Sequence, residues 1–249
     1  MFTDNPFLAV ADFLPPRFMQ VYVVLMALAV IVGTVADITH KRSAEFFAQA
    51  RRRAEAAATR RLSGGERAGL AARTLAREVA MSGEFCNPQR RVSHLLMSWG
   101  FVIYVVTTAL LVYAYPADPD PPALVPFLWH LGVVMILVGG YWFFFLLRVD
   151  VAHDGKPAWA LGRADLFIGS LLASVTAALL FALAAATDSA GATRFFFVVY
   201  LAFTTLLFGS VFWSKFAHMF YKPVVAFQKR VEEADGSTSL PIPRGRRGH

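Results

Sequence analysis

Apolar residues in this chain gather into five long runs separated by polar, proline-containing or charged stretches, near 18–39, 93–115, 125–147, 166–187 and 195–221. A hydrocarbon layer of about 30 Å takes roughly 20 helical residues to cross, and each run reaches that length. Each is expected as a helix, because a lone apolar segment in lipid must satisfy its backbone within itself. The ~10-residue alternation of a barrel strand is absent. The fold class is therefore all-α and integral to a membrane, a five-helix transmembrane bundle.

The remaining segments divide by pattern. Residues 1–17, "MFTDNPFLAVADFLPPR", are read as an outer-surface segment in which Phe7, Leu8, Val10 and Phe13 form a short amphipathic piece and Pro15 and Pro16 turn the corner. The stretch lacks a basic start and carries Asp4 and Asp12, so the first helix is expected to be retained rather than cleaved. Between helices one and two, residues 40–92 make a basic helical loop. Its first half, "KRSAEFFAQARRRAEAAATRRL", has Phe46 and Phe47 on one side and is an Arg-rich helix of the kind that lies along anionic headgroups. Its second half opens on a capping box, Ser63 with Glu66 three residues on. "RVDVAHDGKPAWALGR" connects helices three and four, and the small-residue run "GSLLASVTAALLFALAAA" marks helix four as one that lets backbones approach closely. Residues 222–249 form a tail, helical at first and then of disordered composition.

Composition agrees: hydrophobic residues make up 57% of the 249, Phe occurs 23 times, and the mean hydropathy is +0.51. Charge adds an orientation. Of the 24 Lys and Arg residues, 12 fall between Lys41 and Arg91. By the positive-inside bias that loop and the tail are cytoplasmic and the N-terminus is outside, the topology of a bacterial cytoplasmic membrane protein. The net charge of +7 then belongs to one face of a membrane protein, so no nucleic-acid partner is expected. The single cysteine, Cys86, excludes an internal disulfide and an iron–sulfur cluster held by this chain alone. No nucleophile–base pairing, phosphate loop or paired carboxylates stand out, which makes the chain a subunit of a larger machine rather than a stand-alone enzyme.

Ionisable residues near membrane spans are expensive and default to functional hypotheses. His94 opens helix two in "RRVSHLLMSWGF", and His218 lies near the end of the expected fifth helix in "FWSKFAHMFYKP". With helices two and five antiparallel, both sit at one depth near the cytoplasmic face. Two neutral imidazoles from facing helices can hold a haem iron from both sides. Arg90 and Arg91 before His94, and Lys215 before His218, suit the haem carboxylates. His130, beside Trp129, reads as an interfacial residue, and His40 and His153 as helix-end residues; either of the latter two could replace a misassigned ligand or donate a proton at a quinone site.

These two stretches resemble the histidine-bearing helices of the five-helix cytochrome b membrane anchors: nitrate reductase gamma subunits, the membrane subunit of heterodisulfide reductase, and the membrane-spanning subunit of the quinone-interacting oxidoreductase. The resemblance covers roughly 18–225, and the Ser-Lys-x-x-His ending is its more specific motif. It implies an electron carrier between membrane quinone and a cytoplasmic flavin or iron–sulfur oxidoreductase docked on loop 41–92. The quinone-interacting oxidoreductase points to sulfur metabolism, and the anchor that accompanies adenylylsulfate reductase is similar in size and in having several spans. Two-haem members carry a second histidine ten residues after the first on helix two and another eighteen before the last on helix five. Here those positions are Tyr104 and Tyr200, so the expectation is one haem b, ligated by His94 and His218 as the metal ligands. Lys215, Ser214, His40 and Tyr221 are candidates for the quinone site by depth. Two rivals remain. One is a haem-free structural anchor for a cytoplasmic redox enzyme. The other is a transporter, disfavoured by the scarcity of polar residues at the midplane.

Overall fold

A computed structural model describes residues 2–40, 43–83, 85, 87–116, 118, 120–148, 162, 165–213 and 218–238, without the side chains of 43 and 218–220. Every described element is helical. A 3₁₀ helix at Pro6–Val10 is followed by α1 (Pro16–His40), α2 (Ser43–Ala57), α3 (Gly64–Thr74), α4 (Pro88–Tyr113), α5 (Leu124–Trp142), α6 (Leu166–Ala186), α7 (Ala190–Gly209) and α8 (His218–Asp235). Single π turns prolong α3 over Leu75–Ala80 and α5 over Phe143–Leu147. Among the described residues five helices are long and apolar enough to cross a membrane: Pro16–His40, Pro88–Tyr113, Leu124–Leu147, Leu166–Ala186 and Ala190–Gly209. The chain is a multi-pass membrane protein.

It divides into two compact units, 1–34 with 85–216 and 35–84 with 217–249. In the first, α6 is central: 56% of its most apolar window is buried, against 6% for α1, which is peripheral. The small residues Ser170, Ser174, Ala177 and Ala178 let α7 lie close against α6, and Ser174 and Thr204 bond through their hydroxyls at 2.7 Å. The α4–α5 seam is closer still. A Cβ on Gly139 would meet the Ser93 carbonyl at 2.7 Å, and one on Gly132 would meet the Gly100 carbonyl at 2.9 Å. Ser93 Oγ donates to the Gly139 carbonyl at 2.8 Å across the same seam. Few apolar contacts hold α1, and polar ones replace them. Tyr22 donates to the Leu201 carbonyl at 3.0 Å, Gln20 to the Val112 carbonyl at 3.2 Å, and Tyr113 to the Gln20 carbonyl at 2.7 Å. In lipid, where apolar helices gain little by leaving hydrocarbon, such bonds and close backbones carry association.

Two boundaries differ from the pattern-based reading. The N-terminal piece does not lie along a surface: Phe7 and Val10 are buried in the core, and Phe7 packs edge-on to Trp129 with centroids 6.0 Å apart. Asn5 makes this possible by capping the 3₁₀ helix through Phe7 N–H and donating to the Tyr115 carbonyl at 2.9 Å. The fifth apolar helix ends at Gly209, not 221, and His218 opens a separate helix. Ser210 takes a non-helical ψ of 10° and accepts from Trp213 N–H at 2.9 Å, so hydropathy continues past the point where the backbone turns.

The second unit packs α3 and its π turn against α8. Arg230 and Glu78 form a half-buried ion pair at 2.5 Å, and Thr59 donates through backbone and hydroxyl to the Asp235 carbonyl. The expected capping box is present: Ser63 Oγ accepts from Glu66 N–H at 3.2 Å while the Glu66 carboxylate accepts from Ser63 N–H at 2.8 Å.

Candidate functional site

Asn87 and Pro88 start α4. The Asn87 side chain accepts from the N–H groups of Gln89 and Arg90, and Pro88 takes the first-turn position where no N–H is needed. That start fixes the register of the whole helix. Ser93, Gly100 and Tyr104 face the bundle interior, and His94, one residue beyond Ser93, is half-buried at its edge. The Phe85 ring packs on the His94 imidazole with centroids 4.9 Å apart and planes 45° apart. Arg90 is exposed and Arg91 half-buried, four and three residues before His94, so on a helix both come within a turn of it.

His218 belongs to the second unit, where it is the first residue of α8. Its side chain lies outside the described residues, as do Ser214, Lys215, Cys86 and His153. His40 is exposed at the end of α1. Tyr221 donates its hydroxyl to Asp37 at 2.8 Å.

Ten residues along α4 from His94, Tyr104 meets Tyr200 of α7. The two phenol oxygens are 3.1 Å apart, and Tyr104 and Tyr200 are 7% and 3% exposed. Trp129, fully buried, packs on Tyr104 with centroids 5.5 Å apart and donates its indole N–H to Thr108 at 3.0 Å. Phe197 and Phe181 continue the aromatic cluster. A porphyrin between positions 104 and 200 would need the space these side chains fill.

No family model, curated protein or solved structure matches this chain. The site therefore rests on its own chemistry. Among the described residues no three His, Cys, Asp or Glu side chains gather closely enough to hold a metal ion. A haem asks less, because the porphyrin supplies four of the iron's donors and the protein only the axial ones.

His130, read from the sequence as an interfacial residue beside Trp129, is enclosed by the bundle itself. It is 3% exposed, and its Nδ1–H donates to the Pro126 carbonyl at 2.8 Å. A carbonyl can only accept, which puts the proton of the neutral ring on Nδ1 and leaves buried Nε2 as an acceptor with no hydrogen-bond partner. Tucked between Trp129 and Phe2, the ring is held by packing. Asp37 escaped the pattern-based reading: 1% exposed, in the apolar run "GTVADITH", it is a buried carboxylate, and the cost of a charge in such a run was the signal that marked it. In the second unit, Leu75 and Val79 are 57% and 46% exposed, one turn apart, beside exposed Arg73 and Arg77.

Proposed function

We propose that the chain is the membrane subunit of an oxidoreductase complex. It carries one haem b on the cytoplasmic side and passes electrons between membrane quinone and a cytoplasmic flavin or iron–sulfur enzyme, with adenylylsulfate reductase in sulfur metabolism the favoured partner. In this reading the N-terminus is outside, the C-terminus is inside, and the host membrane is the bacterial cytoplasmic one. The observation that carries it is a contrast along α4. His94 is half-buried with arginines three and four residues before it, while the position ten residues on is closed by the Tyr104–Tyr200 contact. The first suits an axial imidazole with partners for two carboxylates, and the second leaves no room for another macrocycle.

The residue types, two histidines with basic neighbours in the sequence, are those a haem at the inner site would call for. His94 and His218 would be the axial ligands, Arg90 and Arg91 would bind the carboxylates, and Lys215 is assigned the same task from the His218 side. Phe85, packed on the His94 ring, would help to orient it. Bound there, the haem would supply one-electron transfer between a two-electron quinol and the soluble partner. The exposed Leu75 and Val79, edged by Arg73 and Arg77, offer that partner an apolar patch with a basic rim, a composition suited to docking.

One observation favours a second reading. The core of the first unit is filled by its own aromatic side chains, Phe7, Trp129, Phe181 and Phe197, so the bundle needs no cofactor to be packed. A haem-free structural anchor would keep the spans and the basic docking unit. A reduced-minus-oxidised spectrum with haem quantification separates the readings. The expected result is one b-type haem per chain, absent from both His94→Ala and His218→Ala. A colourless parent chain establishes the structural anchor, and two haems would refute the argument from the tyrosines.

A further inference from the structure

The two helices of the basic segment, alike in sequence pattern, differ in how they are used. Thr74 of α3 is buried and its π turn is ion-paired to α8, whereas α2 is exposed along nearly its whole length. Successive helical residues are separated by about 100°. The apolar positions Phe46, Phe47, Ala50, Ala54 and Ala57 therefore form one stripe, with Arg51 and Arg53 on its two flanks and Arg52 opposite. Phe47 and Ala54, on one side of that stripe, are half-buried; Phe47 lines a cleft of about 180 Å³ with Val224, Phe227 and Arg51, and the Arg51 side chain at the rim stays 51% exposed. The other side, Phe46 with Ala50 and Ala57, is left open, and Phe46 is 66% exposed.

We propose that this open side of α2 lies in the headgroup layer of the membrane the chain spans. Phe46 is inserted beneath it, and the Arg51 and Arg53 guanidiniums bind the phosphates of anionic phospholipids. Three observations select lipid over a soluble partner. Only residues 41 and 42, Lys and Arg, separate the end of α1 from the start of α2, a tether of at most ~10 Å that keeps α2 at the membrane surface. The apolar stripe is narrow and built of alanine around one outward phenylalanine, enough to enter a headgroup layer but not a protein-like core. The flanking arginines are long enough to hold their charge at phosphate level while their stems cross the apolar boundary. Cationic side chains held near an anionic leaflet are drawn to its negative surface potential. Arg51 also pairs with Glu55 at 2.8 Å, which holds its stem along the helix. The inference goes beyond the electron-carrier reading and survives if no haem is found.

The test uses the full chain in nanodiscs. With the sole cysteine replaced, Cys86→Ser, an environment-sensitive fluorophore is attached at Ala50→Cys or, on the opposite face, at Arg52→Cys. In discs rich in phosphatidylglycerol the probe at 50 should emit to the blue and be quenched several-fold less by acrylamide than the probe at 52. In discs of phosphatidylcholine alone the difference should shrink, and Arg51→Gln with Arg53→Gln should abolish it in either lipid. Equal quenching at 50 and 52 in anionic discs overturns the proposal. Protection at 50 that ignores both lipid charge and the arginine substitutions also overturns it, since protein would then be covering the face. All substituted positions on α2 are exposed, and far-ultraviolet circular dichroism checks that the fold is kept.

Discussion

Arg148 and Asp165 hold the ends of the connection between α5 and α6 with an ion pair at 2.5 Å, their side chains only 10% and 16% exposed. Arg148 also lies over the Phe144 ring at 4.5 Å. Removing one charge leaves the other desolvated without its partner, which in buried pairs costs about 3 kcal/mol or more. Arg148→Met should therefore destabilise the detergent-solubilised chain by about that amount, and Arg148→Met with Asp165→Leu should recover most of it, measured by denaturant titration. The pair was not legible in the sequence, because Arg148 reads as an ordinary positive residue at the end of an apolar run. Tyr104 and Tyr200 were legible as a matched pair of positions only through the resemblance. Their hydroxyl contact is a fact of helix placement, since nothing local to either residue specifies the other.

At the scale of the element, hydropathy located the five spans but misread two ends. Past Gly209 the residues Val211, Phe212 and Trp213 are as apolar as those before, so no hydropathy change marks the turn at Ser210. Phe7 and Val10 carried the right apolar pattern, but a pattern cannot tell a lipid surface from the interior of a bundle. The α4–α5 seam makes a sharper claim. Gly139→Val would place a branched side chain where even a Cβ meets Leu96 Cβ at 2.8 Å, in a backbone contact with no flexible neighbour to yield. Forcing volume into a packed site costs about 1–3 kcal/mol, and the upper end is expected here. Gly169→Ala, where a Cβ meets nothing within 4 Å, should be nearly silent. Unfolding of both variants in sodium dodecyl sulfate, followed by far-ultraviolet circular dichroism, checks the difference.

The whole molecule divides into two units of different physical character, and acid should separate them. The described tryptophans, Trp99, Trp129, Trp142 and Trp213, belong to the first unit. In the second, the Ser63 N–H and then the Arg60 guanidinium, which donate to the Glu66 carboxylate, hold its pKa below the ordinary 4.5. A folded-state pKa that is depressed gives stability that is fully present above the unfolded value and lost as pH falls through the folded one. Acidification below pH 4.5 should thus fray α3, seen as loss of far-ultraviolet helical signal, while near-ultraviolet tryptophan dichroism stays unchanged. Glu66→Gln should remove that early step. Loss of both signals together, unaltered by the substitution, would refute it.

The chain's own sequence determined that it is helical, that it crosses a membrane several times and that its charge is concentrated in one segment. Each of these rests on local quantities: run length against bilayer thickness, backbone self-satisfaction in hydrocarbon, and a count of arginines. Capping residues such as Ser63 and Glu66 were equally readable, because their bonds close within three residues. The tertiary structure alone decided that Phe7 is a core residue, that His130 is buried, that the Tyr104 and Tyr200 hydroxyls touch, and that Phe46 of α2 is left outward while Phe47 beside it is half-buried. Those outcomes depend on which helix lies beside which, and contact energies between distant segments leave no periodic mark on either one.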